Sequence, residues 1–281
     1  MPTQAEHDWG GRVVVVTGAS SGIGRVTALA FARRGATVVA VARRETLLET
    51  LAAECRQDAP DSFHVAGDLG ERAFAEHVVA ASIARTGRLD VLVNNAAVPK
   101  HKHALHLDPD EIETVMRVNF LSAIWTTYAA LPHFLRTGRG AIVNVSSFAA
   151  MVTPAREAAY AASKAAMNAF SEGLWHDLAG TNIHVAIVNP GPIDTEIWDK
   201  ADEPIAYRGH KYSPEMVADV ILAAAAGRVW ERTVPRFDPM LLTARLLRLA
   251  SPALTRLGMA RMDPVAPALI EEARRRARES S

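Results

Sequence analysis

Cysteine is almost missing from this sequence: Cys55 is the only one among 281 residues. A disulfide framework within the chain is therefore excluded, and a thiolate metal site is not expected. Net charge is missing too, because 31 Lys and Arg balance 31 Asp and Glu. No global field draws such a chain to nucleic acid or to anionic lipid. No uncharged apolar run is long enough to span a bilayer. The opening residues, Met1 to Gly10, are polar and include Glu6 and Asp8, which does not match a secretory signal. The expectation is a cytoplasmic protein with no nucleic-acid partner, and membrane contact is not favoured. What the sequence does hold is ordinary globular composition, 49% hydrophobic and 22% charged, on a length that suits one large α/β domain.

Strand-like and helix-like patterns alternate along the chain, and no internal repeat is visible. Residues 13–16 are four valines in a row, the pattern of a strand buried on both faces. Residues 37–41, 63–65, 89–93, 141–145, 183–188 and 229–234 read as further strands. Helices are expected over residues 25–34, 45–56, 72–86, 110–136 and 157–178, and from a Ser213-Pro214-Glu215 cap to Gly227. Asp108-Pro109-Asp110-Glu111 supplies an N-cap, a first-turn proline and the N3 acid of a capping box. The alternation implies right-handed crossovers and a doubly wound parallel sheet, an α/β fold. Residues 1–235 are assigned to a single domain. Beyond them, residues 236–281 form a helical C-terminal extension: two short helices over 240–250 and 253–259, then a charged tail that is frayed or helical.

Between the first strand and first helix stands Thr17-Gly18-Ala19-Ser20-Ser21-Gly22-Ile23-Gly24. Glycines there allow a tight turn and close backbone approach to a pyrophosphate, and the following helix offers free N–H groups to the anion. The spacing is neither the common G-x-G-x-x-G nor a P-loop. The second strand ends in Ala42-Arg43-Arg44. A site for NAD needs an acid near here to hold the ribose 2′-hydroxyl, whereas arginine suits the 2′-phosphate of NADP. The pattern favours NADP(H), with Arg43 as the expected phosphate partner and Arg44 as a second cation.

These motifs, with others downstream, resemble the short-chain dehydrogenase/reductase family over roughly residues 12–198. The motifs are Thr17-Gly18-x3-Gly22-Ile23-Gly24, Asp68-Leu69, Asn94-Asn95-Ala96-Ala97, Asn119, Ser146-Ser147, Tyr160-x3-Lys164 and Asn189-Pro190-Gly191. Ala97 stands where the family usually has glycine. The resemblance implies a Rossmann-like sheet of about seven strands, a nicotinamide cofactor, and hydride transfer between that cofactor and an alcohol or carbonyl. Carried over, it makes Tyr160 the acid/base, Lys164 its partner, Ser147 the carbonyl-orienting hydroxyl and Asn119 the fourth catalytic residue. Gly18, Ser20, Ser21, Gly22, Ile23 and Gly24 would hold the cofactor phosphates. Asp68 and Leu69 would lie along the adenine, and Asn95 and Ala96 would line the cofactor cleft. Pro190, Ile193 and Thr195 would meet the nicotinamide end, where Tyr160 and Lys164 also lie. Family members commonly pair the helices over 110–136 and 157–178, so a homodimer or homotetramer is expected.

The residue types suit the chemistry. Tyr160 and Lys164 are four apart on a helix and share a face. A free tyrosine titrates near 10, and a neighbouring ammonium lowers that value, so that the hydroxyl can exchange a proton with an alcohol or alkoxide. Asn119, a poor helix former, is expected to break local helical bonding and hold a water with its amide. Bulky residues after the sixth strand, Ile193, Ile197, Trp198, Ile205, Tyr207 and Tyr212, suggest a lid over a mostly apolar carbonyl or alcohol substrate. Leu242, Leu246, Leu249 and Leu257 recur at helical spacing but are interrupted by Arg245, Arg248 and Arg256. This stretch reads as packing on the domain or on a partner subunit, with interfacial membrane contact as the minority reading. His101, His103 and His106 read as a solvated loop beside the site, with no metal expected, and Cys55 reads as incidental on a surface helix. Two other readings compete. One is a non-catalytic NADP-binding sensor or scaffold. The other is an epimerase or dehydratase, which the absence of a longer substrate domain argues against.

Overall fold

The computed structural model describes residues 8–203, 205, 207–262 and 267–279. The polar opening as far as residue 7, and the last two residues of the charged tail, Ser280 and Ser281, lie outside the described residues.

β1 (Val13–Thr17) is buried along its whole length, as a run of valines requires. Successive side chains point to opposite faces. Val14 and Val16 pack with Phe31, Leu48 and Ile221, while Val13 and Val15 pack with Val78, Val79 and Phe134. After β1 come α1 (Gly22–Ala32), β2 (Thr37–Ala42), α2 (Glu45–Cys55), β3 (Phe63–Ala66), α3 (Arg72–Thr86) and β4 (Val91–Asn94). Next are α4 (Pro109–Met116), α5 (Ser122–Thr137), β5 (Gly140–Val145), α6 (Ala158–Asp177) and β6 (Ile183–Pro190). α7 (Pro214–Ala225) and β7 (Glu231–Val234) complete the sheet. The seven strands are all parallel, in the order β3-β2-β1-β4-β5-β6-β7. This is the doubly wound, Rossmann-like fold. The chain winds outward from β1 to β3, then restarts beside β1 with β4. That reversal opens a crevice at the carboxyl ends of β1 and β4, the usual place for a ligand in such sheets.

Two expectations are corrected. The helix expected over 110–136 runs without a break but is not regular α-helix throughout. The Asp108 capping box forms as read, with the carboxylate accepting from the Asp110 N–H at 2.9 Å and Glu111 accepting from the Asp108 N–H at 3.0 Å. α4 then gives way to one wider π-helical turn at Arg117–Leu121 before α5 begins. Asn119 lies inside that turn, with its amide bonded to partners outside the helix. Cys55 is not at the surface. Leu48, Leu51, Ala52 and Cys55 form the buried stripe of α2, and burial, with Glu54 alongside, pushes the thiol up to about 11. An inert, packed thiol is the consequence.

The extension forms α8 (Pro239–Ala250), α9 (Pro252–Met262) and α10 (Pro267–Glu279), so the tail is helical as far as it is described. Asp238 caps α8 by accepting the Leu241 N–H at 2.8 Å, and it also accepts a 2.5 Å hydrogen bond from the Tyr212 hydroxyl. That pair ties the extension to the segment leaving β6.

Candidate active site

A cleft of about 970 Å³ runs across the carboxyl edge of the sheet. At one end lies the glycine-rich turn. Gly18 adopts φ +66°, and a Cβ there would lie 2.8 Å from the Ala96 Cα. A Cβ at Gly24 would lie 2.3 Å from the Gly18 carbonyl oxygen and 2.5 Å from the Asn95 amide nitrogen. Only glycine allows α1 to start this close to the turn. Thr17 and Asn95 lock the arrangement. The Thr17 hydroxyl accepts from the Asn95 and Ala96 N–H groups at 2.9 and 3.0 Å, and the Asn95 amide donates to the Thr17 carbonyl at 3.0 Å. Asn95 and Ala96 therefore line the cleft and also join the β1 turn to the exit of β4.

The cleft wall includes Ser20, Ser21, Gly22, Ile23, Arg43, Asp68, Leu69, Pro190, Ile193 and Thr195. The sequence ranked Arg43 first, yet it is Arg44 that reaches over the turn. Its guanidinium donates to the Ser20 hydroxyl at 3.0 Å and the Ser21 hydroxyl at 2.6 Å, and pairs with Glu196 at 3.1 Å. Arg43 is exposed and also borders the cleft. β2 ends in Ala42, so no carboxylate occupies the position that would hold a free ribose hydroxyl. A dinucleotide phosphate fits this end: a turn stripped of side-chain bulk, two serine hydroxyls, a helix N-terminus and two guanidinium groups.

Across the cleft, α6 carries Tyr160 and Lys164 against the end of β5. The Lys164 ammonium is buried and donates to the Val145 carbonyl at 2.9 Å, with its nitrogen 5.9 Å from the Tyr160 ring centre. The Ser146 hydroxyl donates to the Lys164 carbonyl at 3.0 Å, fastening the helix a second time. Ser147 follows with extended backbone. Its oxygen accepts from the Ala149 N–H at 3.1 Å, which leaves its own proton to donate. Burial holds the Lys164 ammonium down to about 8. The expected lowering of Tyr160 is not found. Burial drives its hydroxyl upward, and the charge of Glu157, one turn earlier on the same face, adds to this. Only the hydrogen bond with Ser147 opposes the rise. Tyr160 is thus held protonated through neutral pH in the protein without cofactor.

The Asn119 side chain is held by three hydrogen bonds. Its amide oxygen accepts from the Val98 N–H at 2.7 Å, and its nitrogen donates to the Val98 carbonyl at 3.0 Å and the Ser163 hydroxyl at 3.1 Å. Both amide protons have protein partners, so the side chain does not hold a relay water by donation. It instead ties the loop after β4 to α6, because Ser163 donates in turn to the Tyr160 carbonyl at 2.7 Å.

The loop read as solvated is pinned. Lys102 N–H donates to the Arg156 carbonyl at 2.8 Å, Lys100 pairs with Glu111 and Asp202, and Glu203 accepts from Arg156 at 2.5 Å and meets His106 at 2.8 Å. His101 is buried on the cleft wall, 3.4 Å from the Glu157 carboxylate. The segment after β6 folds over the same cavity. Trp198 stacks on Tyr207 with ring centres 5.6 Å apart and donates to the Ile193 carbonyl at 2.6 Å. The extension contributes Met240, Leu241, Thr243, Ala244 and Met259 to the wall, a role that packing alone does not require. Glu157 is a lining residue that sequence reading missed and Arg44 one that it ranked second, while His101 was placed beside the site but not as a buried residue.

A parallel seven-stranded sheet with a glycine-turn crevice and a Ser, Tyr and Lys set facing it defines a class. The profile of the family described as short chain dehydrogenase matches residues 12–206, and the chain belongs to that family. It is 36% identical over 224 residues to the "Uncharacterized oxidoreductase YxnA" of Bacillus subtilis, covering 76% of this chain and 62% of that one. It is 40% identical over 189 residues to the Arabidopsis thaliana "11-beta-hydroxysteroid dehydrogenase 1A", covering 66% of this chain and 54% of that one. The chain thus spans under two thirds of the length of these relatives. It covers 91% of the Thermotoga maritima "3-oxoacyl-[acyl-carrier-protein] reductase FabG", with 34% identity over 77% of its own length. Among solved structures, a Sphingobium yanoikuyae short-chain dehydrogenase in complex with NADPH superposes with a TM-score of 0.74 at 28% identity, covering 92% of this chain and 97% of that one. A 3-ketoacyl-(acyl-carrier-protein) reductase from Brucella melitensis, complexed with NADH, gives 0.73 at 27% identity, covering 80% and 97%. Relatives of this fold are thus described with either nicotinamide cofactor.

Proposed function

We propose that the protein is an NADP(H)-dependent oxidoreductase that interconverts a carbonyl and an alcohol, with Tyr160 as the acid/base. The observation that carries this reading is one continuous cleft that has the glycine turn and two arginines at one end and Ser147, Tyr160 and Lys164 at the other. Gly18, Ser20, Ser21, Gly22, Ile23 and Gly24 cradle the cofactor phosphates, Arg43 and Arg44 hold the 2′-phosphate, and Asp68, Leu69, Asn95 and Ala96 line the adenosine half. Pro190, Ile193 and Thr195 bound the nicotinamide end. When bound, the nicotinamide supplies the hydride and, in its oxidised form, a positive charge beside Tyr160. Ser147 donates a hydrogen bond to the substrate oxygen, and Tyr160 donates its proton as that oxygen gains charge. Lys164, anchored on the Val145 carbonyl, keeps a cation beneath the ring. A protonated Tyr160 at neutral pH suits reduction. Asn119 acts at one remove, by fixing α6 against the loop at Val98.

Phe148, Val152, Ile197, Trp198, Ile205 and Met240 give the substrate half apolar walls. A medium-sized or large, mostly apolar ketone or alcohol follows. Each additional buried methylene contributes up to about 0.8 kcal/mol. Loss of NADPH absorbance across ketones of rising size is therefore expected to show kcat/KM climbing until the cavity fills. A maximum on small, charged carbonyls would remove the apolar substrate from this reading.

Assembly into a homodimer or homotetramer belongs to the same reading. α5 and α6 present Tyr128, Leu135 and Trp175 to solvent, more apolar surface than the sheet covers. Light scattering at micromolar concentration is expected to give a multiple of the 30.3 kDa chain mass. A monomer mass would refute it.

A further inference from the structure

α8 has two apolar sides. Leu241 and Ala244 face the cleft. Leu242, Leu246 and Leu249, spaced four and three apart, form an outward stripe with relative exposures of 44, 65 and 75%. Leu254 and Leu257 of α9 are also exposed, and Phe237, just ahead of α8, is the most exposed large apolar residue of the described chain at 76%. Arg245, Arg248, Arg256 and Arg261 are interleaved with these leucines, and residues 239–262 contain no aspartate or glutamate. The whole-chain balance of zero charge therefore hides a local excess of four positive charges. A second copy on this face, paired about a twofold axis, would set the arginines of one chain against those of the other with no acid within the hairpin to offset them. An anionic surface with an apolar interior matches both the charge and the leucines. Among the described residues no helix is long and apolar enough to cross a membrane, so the match is to the plane of an interface.

We infer that the α8–α9 hairpin docks on the surface of an anionic bilayer, its leucines entering the headgroup boundary and its arginines meeting lipid phosphates. Met240 is part of the cleft wall and is itself exposed, and Met259 lines the cleft from α9. Docking in this pose sets the mouth of the cavity against the lipid, so that an apolar compound dissolved in the bilayer enters without crossing water. The inference holds whatever reaction the cleft performs.

The test is co-sedimentation of the full chain with phosphatidylcholine vesicles, with and without phosphatidylglycerol. The chain is expected to sediment with the mixed vesicles and not with phosphatidylcholine alone, and to be released as salt rises. Leu246→Ser with Leu249→Ser is expected to lower the partition coefficient by at least about tenfold. Its Tm should stay level, since both side chains are exposed. Arg245→Gln with Arg248→Gln is expected to weaken binding and flatten its salt dependence. Three results would overturn the inference: no binding to the anionic vesicles, binding indifferent to the serine pair, or a serine pair that converts an oligomer to monomer in light scattering. The last would make a second copy the occupant of this face.

Discussion

Replacing Tyr160 by phenylalanine is expected to lower turnover by about 10²–10⁴-fold, the usual contribution of a positioned acid/base, with little change in cofactor affinity. The ring stays, so packing against Lys164 and the cleft wall is preserved, and only the transferable proton is lost. The environment explains why the loss should be large. Burial and the Glu157 charge keep the tyrosine protonated, with Ser147 hydrogen-bonded to it. In the proposed mechanism no other hydroxyl of the set takes over: Ser147 would only polarise the substrate oxygen, and the Lys164 ammonium is directed to the Val145 carbonyl. The measurement is single-turnover NADPH oxidation on the best ketone of the size series, beside fluorescence titration of NADPH. Near-wild-type turnover would remove Tyr160 from the mechanism. A matching loss of NADPH binding would show that the substitution disturbed the cleft instead.

The second large effect concerns the arginines. A charge-assisted hydrogen bond contributes about 1.5–3 kcal/mol. Removing both Arg43 and Arg44 is therefore expected to weaken NADPH binding by about a hundredfold or more, while NADH, which lacks the 2′-phosphate, changes little. The single variants should differ. Arg44 also bridges Ser20, Ser21 and Glu196, so Arg44→Ala alone loosens the turn and affects both cofactors slightly. Arg43→Ala should act on NADPH alone. Isothermal titration of the four proteins with both cofactors checks this, and a wild-type preference for NADH would contradict the assignment.

Most of the fold was legible in the sequence because its signals are local. A run of valines can only be a strand buried on both faces, and Asp108-Pro109-Asp110-Glu111 makes its capping box from neighbours in sequence. Most of the site residues that motif order singled out line one cleft, Asn119 and Gly24 excepted. What was not legible depends on contacts between distant segments. The π-helical turn at Arg117–Leu121 was legible in part: Asn119 marked a break in local helical bonding, but its partners at Val98 and Ser163 were not visible. Tyr160 was expected to be lowered by Lys164. Burial and Glu157 raise it instead, and neither the depth of the site nor the facing of Glu157 is visible in a Tyr-x3-Lys spacing. His101 looked solvated among its basic neighbours, yet the ion pairs of Lys100, Arg156 and Glu203 fold that loop inward. For Cys55 the signal was available: Leu48, Leu51, Ala52 and Cys55 recur at helical spacing and mark the buried stripe. The arginines among the leucines of α8 and α9 were visible in the sequence too, but spacing alone favoured packing over an interface with lipid, because it does not show which leucines stay exposed.

The most direct test of the central claim follows the hydride itself. NADPH carrying deuterium at the transferable position of its nicotinamide is incubated with the protein and an apolar ketone, and the alcohol is examined by mass spectrometry. Hydride transfer predicts an alcohol one mass unit heavier at the carbinol carbon, formed in proportion to NADPH consumed and suppressed in Tyr160→Phe. NADPH that binds tightly, yet passes no deuterium to any ketone or aldehyde offered, would contradict the account and leave a nucleotide-binding protein without catalysis.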